Sequence, residues 1–370
     1  MPISQWDHLT GVHTHTVTSH NETTAWLADP RLRVPDEHYA DRVRPDWREC
    51  PGAQALRYGL LHQDPPATGA ARRLLSRFLG TDALRQSRTT VDGLAARYVD
   101  RLAGDCDAAE LLLGLPEAVA GALTGVSVTD LRAISGWVDA VLRGTGAPDF
   151  GVFLARMVAG SRGGDGRDLV SFLARNWEPG RQVELGVFAF LLGADALTAA
   201  ALLGSAVEVL TEHPDLLPTL AAPAAAAGFT REVLRLHPPV PHLVRYVAEP
   251  TATWAQDTLV LFDLRRIGRD PVAFARPDTV DPARFAHLGP GVLDRGLDTQ
   301  HPAGGTAAVE ITVAAVRALA SRFERVEGTG PVRWRGNLAL RTCTTLPVRA
   351  TRREYAGRLT RPGLPADLEE

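Results

Sequence analysis

The 370-residue chain contains no lysine; all 40 of its basic side chains are arginine. They stand against 43 acidic residues, a formal charge of −3, so no positive field draws in nucleic acid or anionic lipid. Cysteine is scarce. Cys50, Cys106 and Cys343 are scattered, with no C-x-x-C spacing, which argues against a disulfide framework and fits a reducing cytoplasm. Aromatics make up 6%. The first residues, Met-Pro-Ile-Ser-Gln-Trp-Asp-His, have neither a basic start nor an apolar run, so neither a signal peptide nor a membrane anchor is expected. The richest apolar stretch, 187–210, is interrupted by Asp195, Ser205 and Glu208 and reads as a buried helix, not a membrane span. His13, His15 and His20 lie close together, but no Cys or carboxylate is interleaved at ligand spacing, so no metal site is expected there.

What is present is a long helical mass. Residues 1–63 read as an irregular N-terminal part. Periodicity then predicts helices over 70–79, 81–102, 108–123, 127–142, 150–157, 168–177, 182–212 and 306–323. Residues 64–240 are thus mainly helical, 241–350 hold strands, loops and the last long helix, and 351–370 form a charged tail expected to fray. Strands are expected over 242–248, 258–264 and 331–349. No internal repeat divides the chain, and 1–370 reads as one domain.

The most informative stretch is Glu232-Val-Leu-Arg-Leu-His-Pro-Pro-Val-Pro241. Its i,i+3 spacing puts Glu232 and Arg235 on one helix face, and the two prolines end that helix. Arg245 follows in a strand-like run. Alone, Glu-x-x-Arg is a common solvated ion pair. With His-Pro-Pro-Val and a following arginine it resembles the K-helix signature of the cytochrome P450 family. Asp64-Pro-Pro with Arg72-Arg73-Leu74 is similar to the family's C-helix entry, Leu192–Gly204 to the middle of its I-helix, Gly268-Arg-Asp-Pro-Val-Ala-Phe to its N-R-D-P-x-x-F, and Leu340–Arg349 to its last hairpin. The resemblance implies a mainly α, P450-like fold with a large helical part and a small β-rich part. It implies structural roles for Glu232 and Arg235, with the second arginine of the set near Thr279 and Arg284 as a displaced candidate.

The family's chemistry has visible gaps. Its haem iron is held by a cysteine thiolate in a Gly-rich loop before the last long helix. Here the loop, 291–305, has no cysteine, and the ligand position falls at His301 or Pro302. The family's I-helix acid is matched by Asp195, but the Thr that follows it is Ala196; Thr198 is turned about 200° from that position. The C-helix His that meets a haem propionate is matched by Thr68, and 144–166 is short for the family's pocket roof. These departures resemble the haem-less P450 homologues that activate or stabilise glycosyltransferases in antibiotic biosynthesis. That likeness implies a non-catalytic auxiliary protein of the macrolide or anthracycline type, without haem or other cofactor and with no catalytic residue. Its partner would be a nucleotide-deoxysugar glycosyltransferase, bound as a heterotetramer through surface residues such as Trp137 and Arg143, with no nucleic-acid or membrane partner. The alternatives are a haem-binding monooxygenase with an unusual axial ligand, using His301 and Arg245, and a carrier that holds an aglycone in the vacated cavity.

Overall fold

The structure, a computed structural model, describes residues 14–43, 45–46, 73–102, 104–142, 150–160, 165–176, 182–286, 302–336 and 340–353. Helices dominate, with a small β part, as expected. In chain order the first elements are β1 (Thr14–Val17), α1 (His20–Leu27), β2 (Leu32–Arg33), α2 (Glu37–Val43), α3 (73–79), α4 (Thr81–Gln86), α5 (Arg88–Val99) and β3 (Gly104–Asp107). Then come α6 (Ala109–Thr124), α7 (Val128–Leu142), α8 (Phe150–Gly160), α9 (Leu169–Asn176), α10 (Gln182–Glu212) and α11 (Pro223–Leu236). The C-terminal part holds β4 (His242–Val247), β5 (Leu259–Asp263), α12 (Leu264–Ile267), α13 (Pro302–Arg322), β6 (Phe323–Gly328), β7 (Arg333–Gly336), β8 (Arg341–Thr345) and β9 (Pro347–Arg352).

The N-terminal part differs from the irregular segment that its polarity predicts. Residues 14–43 carry two strands and two helices whose partners are remote in sequence. Strand β1 pairs in parallel with β5, Val17 opposite Phe262, and β2 pairs with β4, giving the sheet order β1-β5-β4-β2. A four-residue polar strand leaves no periodic signal; only its distant partner makes it a strand. The single helix expected over 81–102 is broken at Ser87, which closes α4 and opens α5, and a 3-10 turn follows at Asp100–Leu102. The expected strand run over 331–349 divides into a β7–β8 hairpin and β9, which joins β3 and β6 in a second sheet. Helix α7 begins where expected: the Ser127 hydroxyl accepts the Asp130 N–H at 3.1 Å and donates to its carboxylate at 2.6 Å.

Helix α10 is the axis of the core. It packs against α6, α7, α8 and α13, and from Ala189 to Leu210 nearly every residue is buried. Among the described residues Ala189–Glu212 is the one helix long and apolar enough to cross a membrane, and its most apolar part is enclosed by protein. Gly193 permits the approach to α7, since a Cβ there would lie 2.8 Å from side-chain carbons of Ile134 and Val138.

Candidate functional site

Helix α11 starts on Pro223 at its first turn and stops at His237-Pro238-Pro239, which fixes where Glu232 and Arg235 sit. Both are fully buried. Arg235 binds Glu232 through two bonds: Nε to Oε2 at 2.9 Å and Nη2 to Oε1 at 2.6 Å. Its Nη1 also donates to the carbonyls of Gly268 and Pro277, at 2.5 and 2.6 Å. Arg284 Nε donates to Glu232 Oε1 at 2.9 Å, and its Nη1 to Ala275 O at 2.7 Å. Arg284 thus occupies the second arginine's place, and position 279 offers only its carbonyl, to Arg235 and Arg284 at 3.3 Å each. One carboxylate and two guanidiniums therefore tie α11 to the 268–284 segment. Gly268 makes room for that seam, because a Cβ there would lie 2.2 Å from Arg235 O.

Beyond the prolines, Arg245 lies on β4 opposite Val260. It is 6% exposed, and its Nη1 donates to Val244 O at 2.8 Å. Half-buried His237 closes α11 within reach of Arg235, Arg269 and Arg341. Burial and these positive charges push its imidazole down to about 4, so it is neutral at physiological pH.

On α10, Asp195 and Thr198 are each 6% exposed and stand three residues apart, on neighbouring faces of the helix. Burial alone raises the Asp195 carboxyl well above the ordinary carboxylate range. Lower on the same helix, Glu208 anchors the β7–β8 hairpin. It accepts the Trp334 indole N–H at 3.0 Å and an Arg341 N–H at 3.4 Å, and the Arg341 guanidinium lies 3.6 Å from the centre of the Trp334 ring. A glutamate interrupting the apolar stretch of this helix was the signal for this anchor, but its partners lie 126 and 133 residues away. Gly204 lets the hairpin approach: a Cβ there would sit about 3 Å from Trp334 and Cys343 atoms.

Of the other residues singled out from sequence, Trp137 is half-buried on α7, with its ring edge-on to Phe153 at 4.7 Å. Arg143, His301 and Thr68 lie outside the described residues. The nature of the donors decides whether the family's haem ligation fits here. Burial pushes the Cys343 thiol up to about 11, with its Sγ 3.7 Å from Thr345 O on β8, and it raises the Cys106 thiol as well. An iron-binding thiolate needs the opposite shift. Neither described cysteine fits as an iron ligand, whereas the buried Arg245 guanidinium is the type of group that meets a propionate.

The family model described as cytochrome P450 matches residues 228–288, the span holding Glu232, Arg235, Arg245 and Arg284. The chain is 30% identical to cytochrome P450 monooxygenase PikC of Streptomyces venezuelae over 376 aligned residues, covering 93% of this chain and 87% of that protein. It is 26% identical to cytochrome P450 BJ-3 of Bradyrhizobium diazoefficiens, covering 81% of this chain and 79% of that one. Among solved structures, the tirandamycin C-bound P450 monooxygenase TamI superposes with a TM-score of 0.77 at 23% identity, covering 92% of this chain and 90% of that one. CxnD, the P450 enzyme for C–S bond formation in chuangxinmycin biosynthesis, gives 0.76 at 22%, covering 93% of this chain and 89% of that one. These likenesses fix the fold as P450-like.

Two expectations are corrected by these findings. The missing loop cysteine led to a chain without enzymatic activity and without haem. The relatives are catalytic monooxygenases, and haem is the cofactor of their family. The error was to let the missing cysteine, together with Ala196, Thr68 and the short 144–166 segment, outweigh a frame shared along nearly the whole chain, since imidazole and phenolate also hold haem iron in proteins. With 93% of its length aligned at 30% identity to a P450 monooxygenase and the Glu232–Arg235–Arg284 seam intact, the chain belongs to the cytochrome P450 family.

Proposed function

We propose that this chain is a haem-binding monooxygenase of a biosynthetic pathway for a polyketide-type antibiotic, holding the iron through a donor other than cysteine. The observation that supports it is the 30% identity to PikC across almost the whole chain. Arg245 would meet a haem propionate, and His301 is the nitrogen donor aligned with the family's ligand position. When bound, haem supplies the oxygen chemistry of this family. The chain's own residues provide the frame: the Glu232 seam ties α11 to the 268–284 segment, and β4 carries Arg245.

The test is haem titration of the purified full chain, followed by its absorption spectrum. A stoichiometric Soret band that His301→Ala abolishes, and that His301→Cys restores at a thiolate-shifted wavelength, is the expected result. No Soret band with excess haem overturns the reading.

A second reading is favoured by the cysteine-free loop 291–305 and by Ala196 after Asp195. On it, the chain binds a nucleotide-deoxysugar glycosyltransferase as a heterotetramer. A partner that binds only the competent state of an enzyme stabilises that state by its binding free energy. Coelution with the transferase encoded beside it, with faster or longer-lived sugar transfer, supports this reading; independent elution with unchanged transfer removes it.

A further inference from the structure

Helices α6 and α7 meet at a bend of 120°, and a glutamate is sealed between them. Glu117 on α6 is completely buried. Its Oε2 accepts the Nε–H of Arg132 on α7 at 3.2 Å. The Arg132 side chain is 61% exposed, so the acid lies inside while its counter-charge stays at the surface. The other carboxyl oxygen, Oε1, is sealed from solvent and has no hydrogen-bond partner among the described residues. Ser135, three residues beyond Arg132 on α7, is completely buried too, and its Oγ is likewise sealed and unpaired. The two orphaned oxygens are neighbours, because the Ser135 hydroxyl lies near enough to act on the acidity of Glu117.

Enclosed polar groups are almost always hydrogen-bonded, since an unpaired one forfeits its hydration without return. Glu232 shows what a buried carboxylate needs in this fold: two guanidiniums and the Asp281 N–H, all at 2.6–3.1 Å. Glu117 has one N–H from one mostly exposed side chain. Burial therefore outweighs its partners and raises the Glu117 carboxyl above the ordinary carboxylate range, against the opposing pull of Arg132 and then Ser135. Other elements packed on α6 carry ionisable groups: Arg97 and Tyr98 on α5, Arg175 on α9, Asp195 and Glu208 on α10, Arg341 on β8. None of these acts on the acidity of Glu117, nor does any charge on α13. The Ser135 hydroxyl serves either form of the acid by turning, donating to the carboxylate or accepting from the carboxyl O–H. The choice between the forms is thus between Arg132 and burial.

We propose that Glu117 is a proton-driven switch for Arg132. Ionised, it holds the guanidinium against α6 as a pair without net charge. When it takes one proton from water, the neutral carboxyl stays in place with its O–H on the Ser135 oxygen, and Arg132 is released to solvent. One proton taken up inside becomes one positive charge offered at the surface of α7. The device depends neither on haem nor on a partner protein.

Infrared titration of the purified full chain in D2O, from about pH 4 to about pH 8, follows the C=O stretch of protonated carboxyls. Subtracting the spectra of Glu117→Gln isolates residue 117. The isolated band should persist above pH 4.5, the ordinary value for this side chain. Arg132→Gln removes the cation that favours the anion and should move the midpoint up by about one unit. That variant should keep its circular dichroism, because the acid neutralises itself by holding its proton. In the parent, the Arg132 Nε–H resonance, identified by its absence in Arg132→Gln, should shift with the same midpoint. The fold binds this proton more tightly than the unfolded chain does, so the stability it contributes is complete below pH 4.5 and is lost as the pH rises through the folded value. Glu117→Gln, which cannot ionise, should therefore gain in melting temperature on the parent over that rise. A band absent above pH 4.5, a midpoint that Arg132→Gln leaves in place, or an Arg132 resonance that ignores the titration overturns the proposal.

Discussion

Glu232→Ala should unfold or aggregate the protein at ordinary temperatures. The carboxylate is fully buried and holds two arginines, Arg235 at 2.6 Å and Arg284 at 2.9 Å. Its removal leaves a completely buried guanidinium at 235 and a nearly buried one at 284, with only carbonyl oxygens for company. Breaking a buried pair in this way costs about 3–5 kcal/mol, a large share of the 5–15 kcal/mol that holds a typical domain together. Asp281 also loses the acceptor of its N–H, 3.1 Å from Glu232 Oε1. Glu232→Gln keeps one acceptor and should fall between. Urea denaturation followed by circular dichroism measures the difference. An unchanged midpoint in Glu232→Ala would show that the 268–284 segment is held by other contacts.

That seam was the part most legible in the sequence. Glu-x-x-Arg followed by His-Pro-Pro encodes a helix, a charged face and a stop within ten residues, all of them local physics. The long α10 and α13 were legible for the same reason, since mostly apolar composition over several turns needs no distant partner to be read. Arg284 could only be suggested, because its contact with Glu232 spans 52 residues. Strands β1 and β2 were invisible: each is short and polar, and each exists only by pairing with β5 or β4 more than 200 residues on. The Glu208–Trp334–Arg341 anchor was hidden likewise. An acid in a mostly apolar helix, such as Glu208, shows that a partner is needed, but the partner's identity is a tertiary fact. The readings of no enzymatic activity and no haem failed for a different reason. The absence of a cysteine is plain in the sequence, whereas the identity spread thinly over the remaining chain is not visible in any one motif.

The second large effect concerns acid. His237 lies where α11 ends, hemmed by burial and by Arg269, Arg341 and Arg235, so its folded-state value falls from 6.5 to about 4. Between those two values the unfolded chain binds a proton that the folded protein refuses. Stability at this site is therefore complete above pH 6.5 and is lost as the pH falls toward 4, by about 3 kcal/mol at the acid end. Some carboxylates act in the same direction lower on the scale, among them Asp29, held near 2 by Arg31. The comparison that isolates His237 is the parent chain against His237→Gln, which cannot take up a proton. Denaturation midpoints should agree in shape at pH 7 and above. Between pH 6.5 and 4 the parent should lose stability faster, with the gap growing to about 3 kcal/mol. Parallel pH profiles for the two proteins would mean that the imidazole is charged in the fold, with one of the neighbouring arginines drawn aside toward Glu208 or Asp278, the carboxylates that Arg341 and Arg269 already face at 3.4 and 3.2 Å.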